Sequence, residues 1–170
     1  YVASVRKLLI AAILALLVGI AIFFLSDSRN ESASTDLFSL PVSLTDGRDT
    51  TLGDLVSETG RPLIVNFWAT WCAPCLEELP MFESSNQRFK DEIDFLGINV
   101  SDSPTKAKEM INATEISYLT GSDPEGNFLI ELGVVGLPAT VFISKQGDLI
   151  DLHIGQISST DLDMKISWIR

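Results

Sequence analysis

The sequence predicts an α/β domain, a central mixed β-sheet flanked by helices, behind one N-terminal transmembrane helix. Three observations predict it. Eighteen consecutive apolar residues, LLIAAILALLVGIAIFFL from Leu8 to Leu25, carry no charge. Two further apolar runs, PLIVNFWA and IDFLGINV, alternate with stretches whose apolar residues recur at helical spacing. A hairpin pattern with alternating apolar residues, ATVFIS, KQGD, LIDLHIG, then precedes a closing helical stretch. Strand, helix, strand and helix followed by a hairpin and a helix is the order of a mixed sheet covered on both faces.

The first apolar run has the length of a membrane span. As a helix rising about 1.5 Å per residue it reaches roughly 27 Å, close to the hydrocarbon thickness of a bilayer. Arg6 and Lys7 stand just before it. The positive-inside rule then puts residues 1–7 in the cytoplasm and the rest of the chain across the membrane. A cleaved signal peptide is the competing reading. Its apolar region usually holds about 7–15 residues and ends at an A-x-A-like site. The run here is longer, and Ser26-Asp27-Ser28 is a poor match. Both readings export the domain. Residues 26–36, rich in Ser, Asp and Glu without periodicity, form a tether, and 37–170 the domain.

Within the domain, SLTDGRDTTL predicts a turn at Asp46-Gly47 between short strands, then a short helical turn over Leu52–Val56. PLIVNFWA follows a Gly60-Arg61 turn and is continuously apolar, so it predicts a buried central strand. From Ala73 to Phe89, Leu76, Leu79, Phe82 and Phe89 recur at helical spacing, with Pro80 as an expected kink. Ile93–Val100 predicts a second buried strand, and SPTKAKEMINA a capped helix with Pro in its first turn. A short helix is expected from Gly126 to Leu132, and SSTDLDMKISWIR closes the chain as a helix.

The net charge is −11 at pH 7, with 12 basic and 23 acidic residues. Such a chain repels phosphate backbones, which argues against nucleic acid as a partner. Two cysteines cannot build the disulfide framework that staples a weak core. With 46% apolar residues, the core must stand on burial alone.

Both cysteines lie in FWATWCAPCLEELP, at 72 and 75. A structural zinc site needs four ligands, and the only histidine, His153, is distant and sits in a strand pattern. Haem attachment needs C-x-x-C-H, and position 76 is Leu. A structural disulfide over so short a loop restricts little chain entropy. The redox reading fits the setting. A strand ending at Trp68 and a helix starting near Ala73 place Cys72 at a helix N-terminus, where free N–H groups and the dipole favour a thiolate. Pro74 suits the first turn because its missing N–H has no intrahelical partner there. Cys75 lies one turn on, in reach of a disulfide. Cys72 is then the attacking thiolate and Cys75 the resolving thiol.

VNFWATWCAPCLEELP, with VVGLPATVFIS some sixty residues later, resembles the TlpA/ResA/DsbE group of membrane-anchored thioredoxin-like thiol–disulfide oxidoreductases. The resemblance covers about residues 36–170, and it implies a thioredoxin-like fold and no cofactor or metal. It implies that Pro138 is cis and faces the dithiol, and that Leu137 offers backbone hydrogen bonds to an extended substrate. It places substrate contact on Trp71, Ala73, Pro74, Leu137 and Pro138. Thioredoxins proper carry a buried Asp where Asn66 stands, and Asn cannot take a proton from Cys75. A Glu three residues after the second cysteine is typical of the group, and Glu78 fills that place. At i+3 it shares a helix face with Cys75 and could accept its proton; the alternative is a solvated charge like Glu77. Trp68 and Trp168 are expected to pack rather than function.

The resemblance further implies exported client disulfides as substrates, of the cytochrome c maturation or copper-site assembly type. It implies a membrane thiol transporter of the DsbD or CcdA kind as reductant, and a bacterial cytoplasmic membrane with the domain outside. Ala139 follows Pro138 where DsbE-like members often have Glu, which weakens a specific cytochrome c assignment. Two rivals remain: a disulfide-forming oxidase, and a Cu(I)-binding module using the soft thiolates, with Met81 the nearest further ligand. Three N-x-[ST] sequences, at Asn30, Asn99 and Asn112, read as chance matches.

Overall fold

Local signals set most element ends. The computed structural model describes residues 37–170. Thr51, Ser103 and Ser158 each accept a hydrogen bond from a backbone N–H three residues on, capping helices at 52, 104 and 159. Gly60 ends the first helix at φ 64°, a left-handed conformation that glycine adopts without steric cost. The elements run β1 (Pro41–Leu44), β2 (Asp49–Thr51), α1 (Leu52–Thr59), β3 (Leu63–Trp68), α2 (Ala73–Phe89) and β4 (Asp94–Val100). Then come α3 (Pro104–Ala113), β5 (Leu119–Asp123), α4 (Asn127–Glu131), β6 (Ala139–Ile143), β7 (Leu149–Ile154) and α5 (Ser159–Ile169).

The strands form one sheet in the order β2-β1-β5-β4-β3-β6-β7. The central β5, β4 and β3 are parallel, and every other neighbouring pair is antiparallel. β3 is buried along its whole length, and its alternation explains how. Leu63, Val65 and Phe67 pack on one face with Leu52, Leu55, Val56 and Phe128 of α1 and α4. Ile64 and Trp68 point to the other, toward Leu79 and Phe82 of α2 and Leu162 and Ile166 of α5. A mixed sheet flanked by helices is therefore the observed architecture.

Three details depart from the sequence reading. α1 runs to Thr59, beyond the short turn expected at Leu52–Val56. β5, sequence LTGSD, is a strand with no apolar alternation, and the burial of Thr120, Gly121 and Asp123 comes from its neighbours. The last hairpin does not alternate evenly between core and solvent. β6 is buried on both faces, whereas β7 is an edge strand that leaves Leu149, Ile150 and Ile154 exposed. The span expected at 8–25 and the tether at 26–36 lie outside the described residues. Among the described residues, no helix is long and apolar enough to cross a membrane.

Candidate active site

β3 ends at Trp68, and α2 begins at Ala73, so four residues carry the chain from sheet to helix. Cys72 is the N-cap of α2, and its sulfur accepts from the Cys75 N–H at 3.3 Å. Cys72 and Cys75 are joined as a disulfide with Cα atoms 5.3 Å apart. Cys75 is fully buried and Cys72 is 5% exposed, so Cys72 is the residue nearer solvent. Ala73 and Pro74 follow on the exposed first turn of α2, and Pro74 takes the early-turn position that its missing N–H suits.

The second motif reaches the same place. The Leu137-Pro138 peptide bond is cis. Leu137 packs against the small cluster of Trp68, Ala69, Cys72, Cys75 and Leu79. Pro138 is buried at the head of β6, with its carbonyl accepting from the Gly155 N–H at 2.9 Å. Sixty-odd residues apart in sequence, the two motifs meet because β3 and β6 are adjacent strands with Phe67 opposite Ala139.

Glu78 is buried, at 2% exposure, on the face of α2 that also holds Cys75 and Leu79. It is not a solvated charge. One carboxyl oxygen accepts from the Ile157 N–H at 2.5 Å, and the other has no hydrogen-bond partner among the described residues. Burial pushes its pKa up to about 7, against the opposing pull of the Ile157 bond. Asn66 lies on the same side of the sheet as Ile64 and Trp68. It is buried with both side-chain polar atoms unpartnered among the described residues, and so is the hydroxyl of Thr140, its cross-strand neighbour.

Trp71 is 62% exposed, and its indole N–H donates to the Ser101 carbonyl at 3.2 Å. Trp68 is fully buried, Met81 is half-buried against the core, and His153 sits in β7 bonded to the Gln156 carbonyl. Asn99 lies in β4 and is buried. Trp168 is half-exposed, with the Lys165 ammonium 5.0 Å from its ring centroid. Among the described residues, no group of three or more His, Cys, Asp or Glu side chains is arranged to hold a metal ion.

Sequence reasoning missed Asp102. It follows β4, and its carboxylate accepts from the Thr70 N–H at 2.5 Å and the Thr70 hydroxyl at 2.8 Å. It also accepts from Asn99 and from the Ser103 N–H. Burial alone would raise its pKa, but the bonds from Thr70, Asn99 and Ser103 outweigh it and hold the carboxyl below its ordinary range. In sequence Asp102 reads only as a neighbour of the Ser103 cap.

Known proteins are similar to this chain in sequence and in fold. A family model described as Redoxin matches residues 20–166. The thiol:disulfide interchange protein HelX of Rhodobacter capsulatus is 30% identical over 71% of this chain and 67% of its own length. The thiol:disulfide interchange protein DsbE of Vibrio cholerae is 34% identical over 59% of this chain, and the chain spans about half, 53%, of that relative. The solved structure of MTB DsbF superposes with a TM-score of 0.71 at 24% identity, covering 81% of this chain and 98% of that one. The domain therefore has the thioredoxin-like fold.

Proposed function

The chain belongs to the redoxin family, and from that premise we propose that it is a thiol–disulfide oxidoreductase that reduces disulfides of exported client proteins. The observation that carries the proposal is the pair Cys72–Cys75 at the head of α2, packed against Leu137 of the cis Leu137-Pro138 segment. The names of HelX and DsbE, both thiol:disulfide interchange proteins, support the reaction class. The apolar run at 8–25 supports anchoring in a bacterial cytoplasmic membrane with the domain outside.

In the reduced chain, the Cys72 thiolate sits where the first N–H groups of α2 stabilise negative charge. It attacks one sulfur of a client disulfide, forming a mixed disulfide and releasing the other client sulfur as a thiolate. The Leu137 backbone groups take no part in hydrogen bonds among the described residues, which leaves them for the client's extended chain. Glu78, poised near neutrality one turn beyond Cys75, accepts the Cys75 proton. The new Cys75 thiolate attacks the Cys72 sulfur, and the client leaves with both thiols. Two electrons have passed from the protein dithiol to the client, and the protein holds the disulfide seen in the structure. A membrane thiol transporter of the DsbD or CcdA kind would restore the dithiol. Cytochrome c maturation or copper-site assembly is the client class that the family resemblance favours.

The reduction potential tests the direction. The full chain is titrated against a thiol buffer and followed by tryptophan fluorescence, with Cys72→Ala as control. A value below about −230 mV is expected for a reductant kept reduced by a partner. A value near about −120 mV would make the protein an oxidant and reverse the proposed electron flow.

A further inference from the structure

The segment that presents Cys72 is a turn, and a carboxylate from the connection after β4 holds it. The Cys72 N–H donates to the Ala69 carbonyl at 3.2 Å, closing the turn around Thr70 and Trp71. Both of these enclosed residues are bonded to the connection after β4. Thr70 gives its N–H and its hydroxyl to the two oxygens of Asp102, and Trp71 gives its indole N–H to the Ser101 carbonyl. Asp102 is itself fixed by Asn99 and the Ser103 N–H. Ser101 stands at φ 48°, a conformation that side-chain-bearing residues adopt at a cost, and its N–H is held by the Asp123 carbonyl at 3.1 Å. The carboxylate thus takes four hydrogen bonds. Charge-assisted bonds are about twice as strong as neutral ones, so the turn is held more firmly than its exposure suggests.

We propose that Asp102 is a positioning residue for the client: it locks the 69–72 turn so that the exposed Trp71 ring stands as a fixed wall beside the dithiol. The inference rests on the oxidoreductase reading above. An exposed indole on a free turn would have to be ordered each time a client chain docked, and that ordering would weaken binding. Locked in advance by Asp102, the ring adds its apolar face to docking at little entropic cost. Asp102 touches neither sulfur, so its effect belongs in binding and not in the exchange step.

Single-turnover reduction of a synthetic peptide disulfide by the full reduced chain in detergent micelles separates the two. Asp102→Asn and Asp102→Ala are expected to raise the half-saturating peptide concentration about tenfold and to leave the limiting rate within about threefold. Thr70→Ser, which keeps both bonds, should match the parent chain, and Thr70→Val should lie between. Trp71→Ala should raise half-saturation by the same factor, with no further loss in the Asp102→Ala/Trp71→Ala double variant, because both remove one wall. Amide exchange at Thr70 should accelerate at least tenfold in Asp102→Asn. Unchanged half-saturation in the Asp102 and Thr70→Val variants, or losses that multiply in the double variant, would overturn the role. If Asp102→Ala does not fold, Thr70→Val carries the test. A parent chain inert toward the peptide would overturn the oxidoreductase reading, whereas an active parent with insensitive variants overturns only the positioning role.

Discussion

At Glu78 the same burial that brings the carboxyl near neutrality also costs stability. A carboxyl with one partner and one unpartnered oxygen in an apolar setting holds its proton up to about pH 7, against a reference near 4.5. Between those values the folded chain binds more protons than the unfolded one. The contribution of Glu78 to stability is therefore full below about pH 4.5 and is lost as pH rises through 7. Glu78→Gln cannot ionise, so its melting temperature should fall several degrees less between pH 4.5 and 8 than that of the parent oxidised chain. The same variant should slow resolution of the mixed disulfide, by about a hundredfold at pH 7 if Glu78 takes the Cys75 proton. A parallel fall in melting temperature for both proteins would mean that Glu78 is already ionised when folded. The family resemblance brought Glu78 to notice, but its i+3 spacing from Cys75 could not distinguish a solvated charge from a buried one. Only the docking of α2 on the sheet settles that.

β5 shows why some elements escape a reading by pattern. LTGSD has neither alternation nor β-branched density, yet it pairs with β1 and β4 because its small residues permit close approach. A Cβ on Gly121 would stand 2.6 Å from Val42 Cγ1 and 3.1 Å from the Ser43 carbonyl. Valine is stiff at χ1 and the other neighbour is backbone, so neither gives way cheaply. Gly121→Ala should therefore destabilise by about 1–3 kcal/mol, read as a lower urea midpoint at unchanged slope. An unaltered midpoint would show that β1 shifts freely. By contrast, β3, β4, α2, α3 and α5 were legible because an apolar run or a cap defines each within a few residues. The dithiol was legible for the same reason, lying at the joint between two strongly marked elements, whereas Pro138 came only from the family resemblance, because a proline before a strand is by itself just a turn. Asp102 was not, because its partner Thr70 lies 32 positions away and no local pattern links them.

For the molecule as a whole, the redox state of Cys72 and Cys75 and the stability of the fold are two sides of one thermodynamic cycle. The unfolded chain has its own dithiol potential, and the difference from the folded value appears as a difference in unfolding free energy between oxidised and reduced protein. Each 30 mV corresponds to about 1.4 kcal/mol. A protein becomes a strong oxidant when its reduced form is the more stabilised. The α2 N-terminus pulls in that direction by favouring the Cys72 thiolate, an effect on the order of 0.3–1 kcal/mol. Opposing it, Cys75 is fully buried and shares its helix face with Glu78, so the reduced state must hold a thiol in an apolar site beside a carboxyl titrating near 7. The oxidised state keeps the buried carboxyl but has no thiol to hold beside it, and it retains Cys72 as the cap of α2. The oxidised full chain should therefore melt above the reduced chain at pH 7. Cys72→Ala/Cys75→Ala, which cannot cycle, should melt identically with and without reductant. A reduced chain that melts higher would show the helix terminus to be the larger effect, and it would assign this fold to disulfide formation instead of reduction.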